Sequence, residues 1–173
     1  EINQRNPDLD GKQVSRTATV ISTGALRYYM LRFARNRVVA FDLDSALAFE
    51  GETGPYLQYG AVRTKSILRR AAELGLETGP IVAPTVKQER DLILRLLLLP
   101  EVIERAVEVR APNVLAEYAY ELATDFNRFY EACHILREKD AARQASWLSL
   151  VELTRRTLAL LLDTLGIEIP DRM

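Results

Sequence analysis

Beyond residue 45 the apolar residues recur every three to four positions, segment after segment, and that period allows little besides packed helices. From Pro55 to Leu74, the residues Leu57, Ala61, Leu68 and Ala71 share one face. Pro55 suits a first helical turn, with Thr53 or Gly54 as its cap, and Gly75 with the following ETGPIVAP ends the helix in a loop. The spacing predicts a second helix over about 85–99 that stops at Pro100, a short one to about 109, and a long one from about Pro112 to Leu136. A last helix is expected from about 140 to Gly166, with Trp147, Val151, Leu158, Leu161, Leu162 and Leu165 as its inward stripe. Before residue 45 the pattern is less regular. Residues 13–35 read as helical, with Gly24 a point where the helix could break. RVVAFD (37–42), β-branched and aromatic, suits a short strand or an extended crossing. The final IEIPDRM reads as an extended tail. The expected fold is all-α: a helical bundle behind an irregular leader that contains a short extended segment.

Length and composition set outer bounds. A chain of 173 residues is enough for one well-buried domain with an appended segment. Apolar runs such as LLLL (96–99) fall far short of the roughly 20 residues that span a bilayer, so no membrane partner is expected. EINQRNPDLDGK at the start carries no apolar signal region, which points away from secretion. The single cysteine, Cys133, rules out an internal disulfide and fits a reducing compartment, so the expected location is cytoplasmic. A first residue of Glu rather than Met suggests processing or a piece of a longer protein. The formal net charge of −1 is unevenly spread, with basic residues in excess before residue 76 and acidic residues in excess after it. Contact with a nucleic acid should therefore be local and come from the first half.

Motifs for chemistry are scarce. The eight glycines are scattered and form neither a phosphate loop nor a dinucleotide fingerprint. Cys133 and His134 are adjacent, so on a helix they point about 100° apart and make a poor metal pair. Glu50 and Glu52 can be read as an acid–base pair or as helix-start carboxylates favoured by the helix dipole. No catalytic residue and no metal ligand is assigned.

AFEGETGPYLQYGAVR (48–63) is the more informative stretch. On a helical wheel Tyr56, Tyr59, Arg63, Ser66 and Arg70 fall on the flank beside the apolar face. Two rings interleaved with two guanidinium groups suit unstacked bases, because rings stack on any base and arginines hold phosphates or base edges. The alternative is that the tyrosines rim the core and the arginines are simply solvated. A second basic-aromatic run, ALRYYMLRFARNR (25–37), allows the same two readings.

DLDSALAFEGETGPYLQYGAVR (42–63) closely resembles the signature that joins the catalytic and C-terminal helical domains of arginyl-tRNA synthetases. The resemblance continues through GALRYYMLRFARNRVVAFDLD (24–44) and PNVLAEYAYELATDFNRFYEACHIL (112–136) to the terminal IEIPDRM. It covers nearly the whole chain. It implies that residues 1–51 are the tail of a class I catalytic region and that 52–173 form the DALR-type anticodon-binding bundle. The family's His-Ile-Gly-His motif and lysine-serine loop are not matched: HILR (134–137) lacks the second His and the Gly, and KQVSR (12–16) is at best a chance echo. The cysteinyl-tRNA synthetases share the domain type, but their zinc cysteines do not coincide here. What the resemblance implies is a C-terminal fragment, inactive alone, of an arginine–tRNA ligase. Its partners would be tRNA(Arg) and the upstream catalytic domain, and ATP and Mg²⁺ would serve the full-length enzyme. Tyr56, Tyr59, Arg63 and Met173 match positions that the family places at the anticodon loop, and Arg70 extends that stripe. Gly60 departs from the family's usual Ala. The tail is expected to lie against the stripe, with its terminal carboxylate near Arg63 or Arg70. A helical protein-interaction domain that keeps this fold without binding RNA is the competing expectation.

Overall fold

The computed structural model describes residues 10–173, and within them the chain forms seven α-helices and one short 3₁₀ turn. The expectations placed on residues 1–9, including the missing signal region, lie outside the described residues. The helices are α1 (Gly11–Leu31), α2 (Leu43–Leu47), α3 (Gly54–Glu73), α4 (Lys87–Leu97), α5 (Leu99–Val109), α6 (Asn113–Ala132) and α7 (Ala141–Thr164), with the 3₁₀ turn at Ile135–Arg137.

Their ends follow from local chemistry. Asp10 caps α1 by accepting from the Gln13 backbone N–H while the Gln13 side chain accepts from the Asp10 N–H, a reciprocal box. Thr53, not Gly54, caps α3: its hydroxyl accepts from the Tyr56 N–H, and Pro55 sits in the first turn where no N–H is needed. Asp140 accepts from the Ala142 and Arg143 N–H groups at the start of α7. Pro100 does more than stop α4. It opens α5, whose first residue is Leu99.

Two sequence expectations need correction, and a third is decided between its alternatives. Helix α1 runs unbroken through Gly24 and ends at Leu31 rather than 35. Of the strand and the extended crossing allowed for RVVAFD, the structure has the crossing, because no described segment offers it an edge. The long helix ends at Ala132, and Cys133 to Arg137 turn through the 3₁₀ segment.

Gly24 serves close packing. A Cβ there would lie 2.5 Å from Gln58 Nε2, and a Cβ on Gly54 would lie 2.5 Å from the Gly24 carbonyl oxygen. The two glycines let α1 and α3 approach backbone to backbone. Gln58, fully buried on α3, then donates from Nε2 to the Val20 carbonyl of α1 at 3.2 Å and to the Glu168 carbonyl of the tail at 2.8 Å. Fully buried Tyr28 adds a second tie, donating to the Ala116 carbonyl of α6 at 3.2 Å and lying 3.3 Å from Glu52 Oε1. Burial and the neighbouring Glu52 carboxylate push its phenol well above the usual range.

The core lies where α3, α6 and α7 meet. Leu57, Leu122, Phe126, Phe129, Val151, Leu158 and Leu162 have no exposed surface there. Each such side chain contributes roughly 1.5–3 kcal/mol by leaving water. Helices α4 and α5 close one side. Arg95 of α4 bonds Asp125 at 2.9 Å and Glu121, both on α6, and its carbonyl accepts from the Tyr118 hydroxyl at 2.7 Å. The result is a bundle whose α3 presents one flank, over α6, to the outside.

Candidate nucleic-acid interface

Helix α3 places Tyr56, Tyr59 and Arg63 on that flank, all three half-buried. Helix α6 supplies what they rest on. The Tyr56 ring lies 5.6 Å from the Tyr120 ring, tilted by 54°. Its hydroxyl accepts from Asn127 Nδ2 at 2.9 Å and reaches Thr124 Oγ1 at 3.5 Å. Arg63 donates from Nη1 to Asn127 Oδ1 at 2.7 Å and from Nη2 to Tyr59 Oη at 2.9 Å. Its guanidinium carbon also stands 4.7 Å from the Tyr59 ring centre and 5.1 Å from that of Tyr130. Such contacts are worth about 0.5–1 kcal/mol where exposed and more where water is excluded. Among the described residues, both oxygens that receive Arg63 are uncharged, so no carboxylate compensates its positive charge. Two ring faces beside an uncompensated cation can stack an unpaired base and attract its phosphate.

The other sequence candidates are placed differently. Arg70 is exposed two turns further along α3 and pairs with Glu73 at 3.0 Å. That i,i+3 surface pair is worth at most about 1 kcal/mol. Met173 is half-buried at the end of a tail whose contacts run along α1. Glu168 to Arg172 and the residues Gln13, Arg16, Thr17 and Val20 line a cleft of about 470 Å³ between tail and helix. Arg63 and Arg70 take Asn127, Tyr59 and Glu73 as partners, in place of the terminal carboxylate expected for one of them. Gln58, which holds the tail, lies on the wheel about 160° from Tyr56 and about 100° from Tyr59. At Glu168 the tail is thus held on a different face of α3 from Tyr56.

Glu52 is turned toward α1. Its carboxylate faces Tyr28, its carbonyl accepts from Arg32 Nη1 at 2.6 Å, and Glu50 is exposed beside it. The second basic-aromatic run is likewise structural: Tyr28 and Tyr29 are core residues, and Arg32 lies over the Tyr29 and Phe33 rings. Cys133 is buried while His134 is exposed. Burial, then the Glu89 and Glu138 carboxylates, push the Cys133 thiol from 9.0 up to about 11. Because only the thiolate reacts, alkylation at pH 8 should run roughly two orders of magnitude slower than in the chain unfolded in urea. A thiol-labelling time course checks this, and equal rates would contradict the burial. The linkage has a matching sign: the unfolded thiol ionises first, so its contribution to stability falls as pH rises from about 9 to 11.

Asn127, Tyr120, Thr124 and Tyr130 did not figure among the sequence candidates. The signal was present as an i, i+4, i+7 row, Tyr120–Thr124–Asn127, on one face of α6.

Comparison with known proteins shows the family and the fold. The family model described as the DALR anticodon binding domain matches residues 57–173. The arginine–tRNA ligase of Maricaulis maris is 42% identical over 166 residues, which are 96% of this chain and 28% of that protein. That of Saccharophagus degradans is 41% identical over 174 residues, 100% of this chain and 30% of that protein. Among solved structures, the arginyl-tRNA synthetase of Thermus thermophilus superposes with a TM-score of 0.84 at 37% identity, covering 99% of this chain and 29% of that one. The Plasmodium falciparum arginyl-tRNA synthetase gives 0.82 at 26% identity, over 99% of this chain and 30% of that one. This chain therefore spans under a third of the length of these relatives. With a matching family model over most of its length and a matching fold, the chain belongs to the DALR anticodon-binding domain family found in arginyl-tRNA synthetases.

Proposed function

We propose that this chain recognises the anticodon loop of tRNA(Arg) as the C-terminal part of an arginine–tRNA ligase. Tyr56, Tyr59 and Arg63 are its principal contacts, and Met173 and Arg70 lie at the margins. The observation that carries this reading is the uncompensated Arg63 guanidinium held against the Tyr59 and Tyr130 rings. Residues 1–51 would belong to the end of the catalytic region, and the whole protein would arginylate tRNA in the cytoplasm using ATP and Mg²⁺. Among the described residues, none builds a site that fits ATP. The glycines with positive φ, Gly51, Gly75 and Gly166, sit at three separate turns and build no phosphate cradle. ATP would accordingly be held upstream, and the 173-residue chain alone should show no ATP–pyrophosphate exchange.

The test is a fluorescence-anisotropy titration of the chain with an arginine tRNA transcript and with a transcript of another specificity. The arginine transcript should bind more tightly, and affinity should fall as salt rises. A second reading, a helical protein-interaction domain, draws on the exposed Leu97 and Val107 of α4 and α5, at 68% and 71% exposure. A folded chain that binds neither transcript would favour it.

A further inference from the structure

The hydrogen bonds of the interface run in one direction, and an unassigned residue sets it. Arg63 can only donate, so the atom of Asn127 facing Nη1 at 2.7 Å must be the amide oxygen. Nδ2 is then the atom 2.9 Å from Tyr56 Oη, so Tyr56 accepts there and its own proton turns toward Thr124. Arg63 also donates from Nη2 to Tyr59 Oη at 2.9 Å. The Tyr59 oxygen therefore accepts from the protein, and since no acceptor among the described residues takes its proton, that proton remains to be given outward.

We infer that Asn127 is the positioning residue of this surface. Its one amide holds Tyr56 and Arg63 in fixed register and, through Arg63, orients the Tyr59 hydroxyl as an outward donor. The group it would meet is an acceptor on a loop nucleotide, a base carbonyl or an unprotonated ring nitrogen. This rests on the RNA-binding reading above and adds to it a direction of recognition: the surface offers Tyr59 as a donor and discriminates against bases that present an amino group at that point. A base that offered only a donor would leave both hydrogens facing each other in a half-buried site, which is costly. Arg63 acts here as a strut as well as a contact. Two of its N–H groups are engaged by the protein, and its face lies on two rings.

The experiment is a double-mutant cycle in the 173-residue chain, with Asn127→Ala and Tyr59→Phe singly and together. The probes are an RNA hairpin carrying an arginine-tRNA anticodon loop and the same hairpin with one anticodon base exchanged. Asn127→Ala should weaken binding of the first hairpin about tenfold and narrow the ratio between the two. It should leave the slope of log affinity against log salt unchanged, because no phosphate contact is removed. Tyr59→Phe should narrow the same ratio, and the double variant should be no worse than the more affected single one, since both act on one donor. A residue that merely supported the fold would lower thermal stability without this coupling. If alanine unfolds the chain, Asn127→Ser enters the same cycle. Additive effects, or a folded Asn127 variant with wild-type discrimination, would overturn the inference while leaving RNA binding intact. A wild-type chain that binds neither hairpin overturns both.

Discussion

Removing the rings of Tyr56 and Tyr59 together is expected to weaken RNA binding by about 2–6 kcal/mol, because stacking on one aromatic is worth about 1–3 kcal/mol per base. The two rings are not equivalent probes. Among the described residues, the hydrogen bond and the cation–ring contact of Tyr59 are both with Arg63, four residues away on the same helix, so Tyr59→Ala should leave the thermal midpoint near that of the wild type. Tyr56 packs on Tyr120 and bonds Asn127, across to α6. Tyr56→Ala should therefore also lower stability, by about 1 kcal/mol for the lost hydrogen bond. The contacts to α6 thus set Tyr56 apart from a residue that merely lies beside the core face. Titrations belong well below the melting transition of each variant, with circular dichroism confirming helicity. A folded double variant with unchanged affinity would remove the stripe from the interface.

Gly54→Ala is expected to destabilise the chain by about 1–3 kcal/mol, while Gly60→Ala, one and a half turns along the same helix, should stabilise it by about 0.5–1 kcal/mol. The new methyl at 54 would meet backbone: the Gly24 oxygen at 2.5 Å and the Ala25 Cα at 2.8 Å. No rotamer change relieves a clash with main chain, so α1 must move off α3 and loosen the Gln58 bonds with it. At 60 the methyl would meet only the Ala123 Cβ at 3.5 Å, an ordinary contact, and glycine's backbone freedom in the unfolded chain would be reduced. Urea unfolding of both variants reads the two signs directly. A stable Gly54→Ala or a weakened Gly60→Ala would mean the helix contacts are wrong. Gly60 then departs from the usual residue at a cost in stability and with no change at the surface.

The bundle was legible because its helices carry their own period and stops, and Thr53 with Pro55 marked the start of α3 to within a residue. The stripe was legible for the same reason, since Tyr56, Tyr59 and Arg63 lie on one helix. Asn127 was not, because the partner of Arg63 comes from 64 positions away and no local period reports that distance. Gly24 was misread as a breaking point. Glycine lowers helix propensity whatever its purpose, and only the Gln58 side chain, 2.5 Å from where a Cβ would lie, shows that this one makes room. The extended 37–42 segment has strand-like composition, but a strand exists only with a neighbour to pair with. The path of the tail was equally hidden, since the buried amide that receives it belongs to another helix.

That amide also sets an order of events during synthesis. Gln58 and the carbonyl of Glu168 are 110 residues apart, whereas the Val20 carbonyl that shares the same Nε2 is made before either. At about 5–20 residues per second, on the order of 6–22 s separate the translation of Gln58 from that of Glu168. Through that interval the amide has half of its bonds, and the docked pair of α1 and α3 lacks its final clasp. A chain broken off after Thr164 but before Glu168 would hold every described helix with its closing bond unmade.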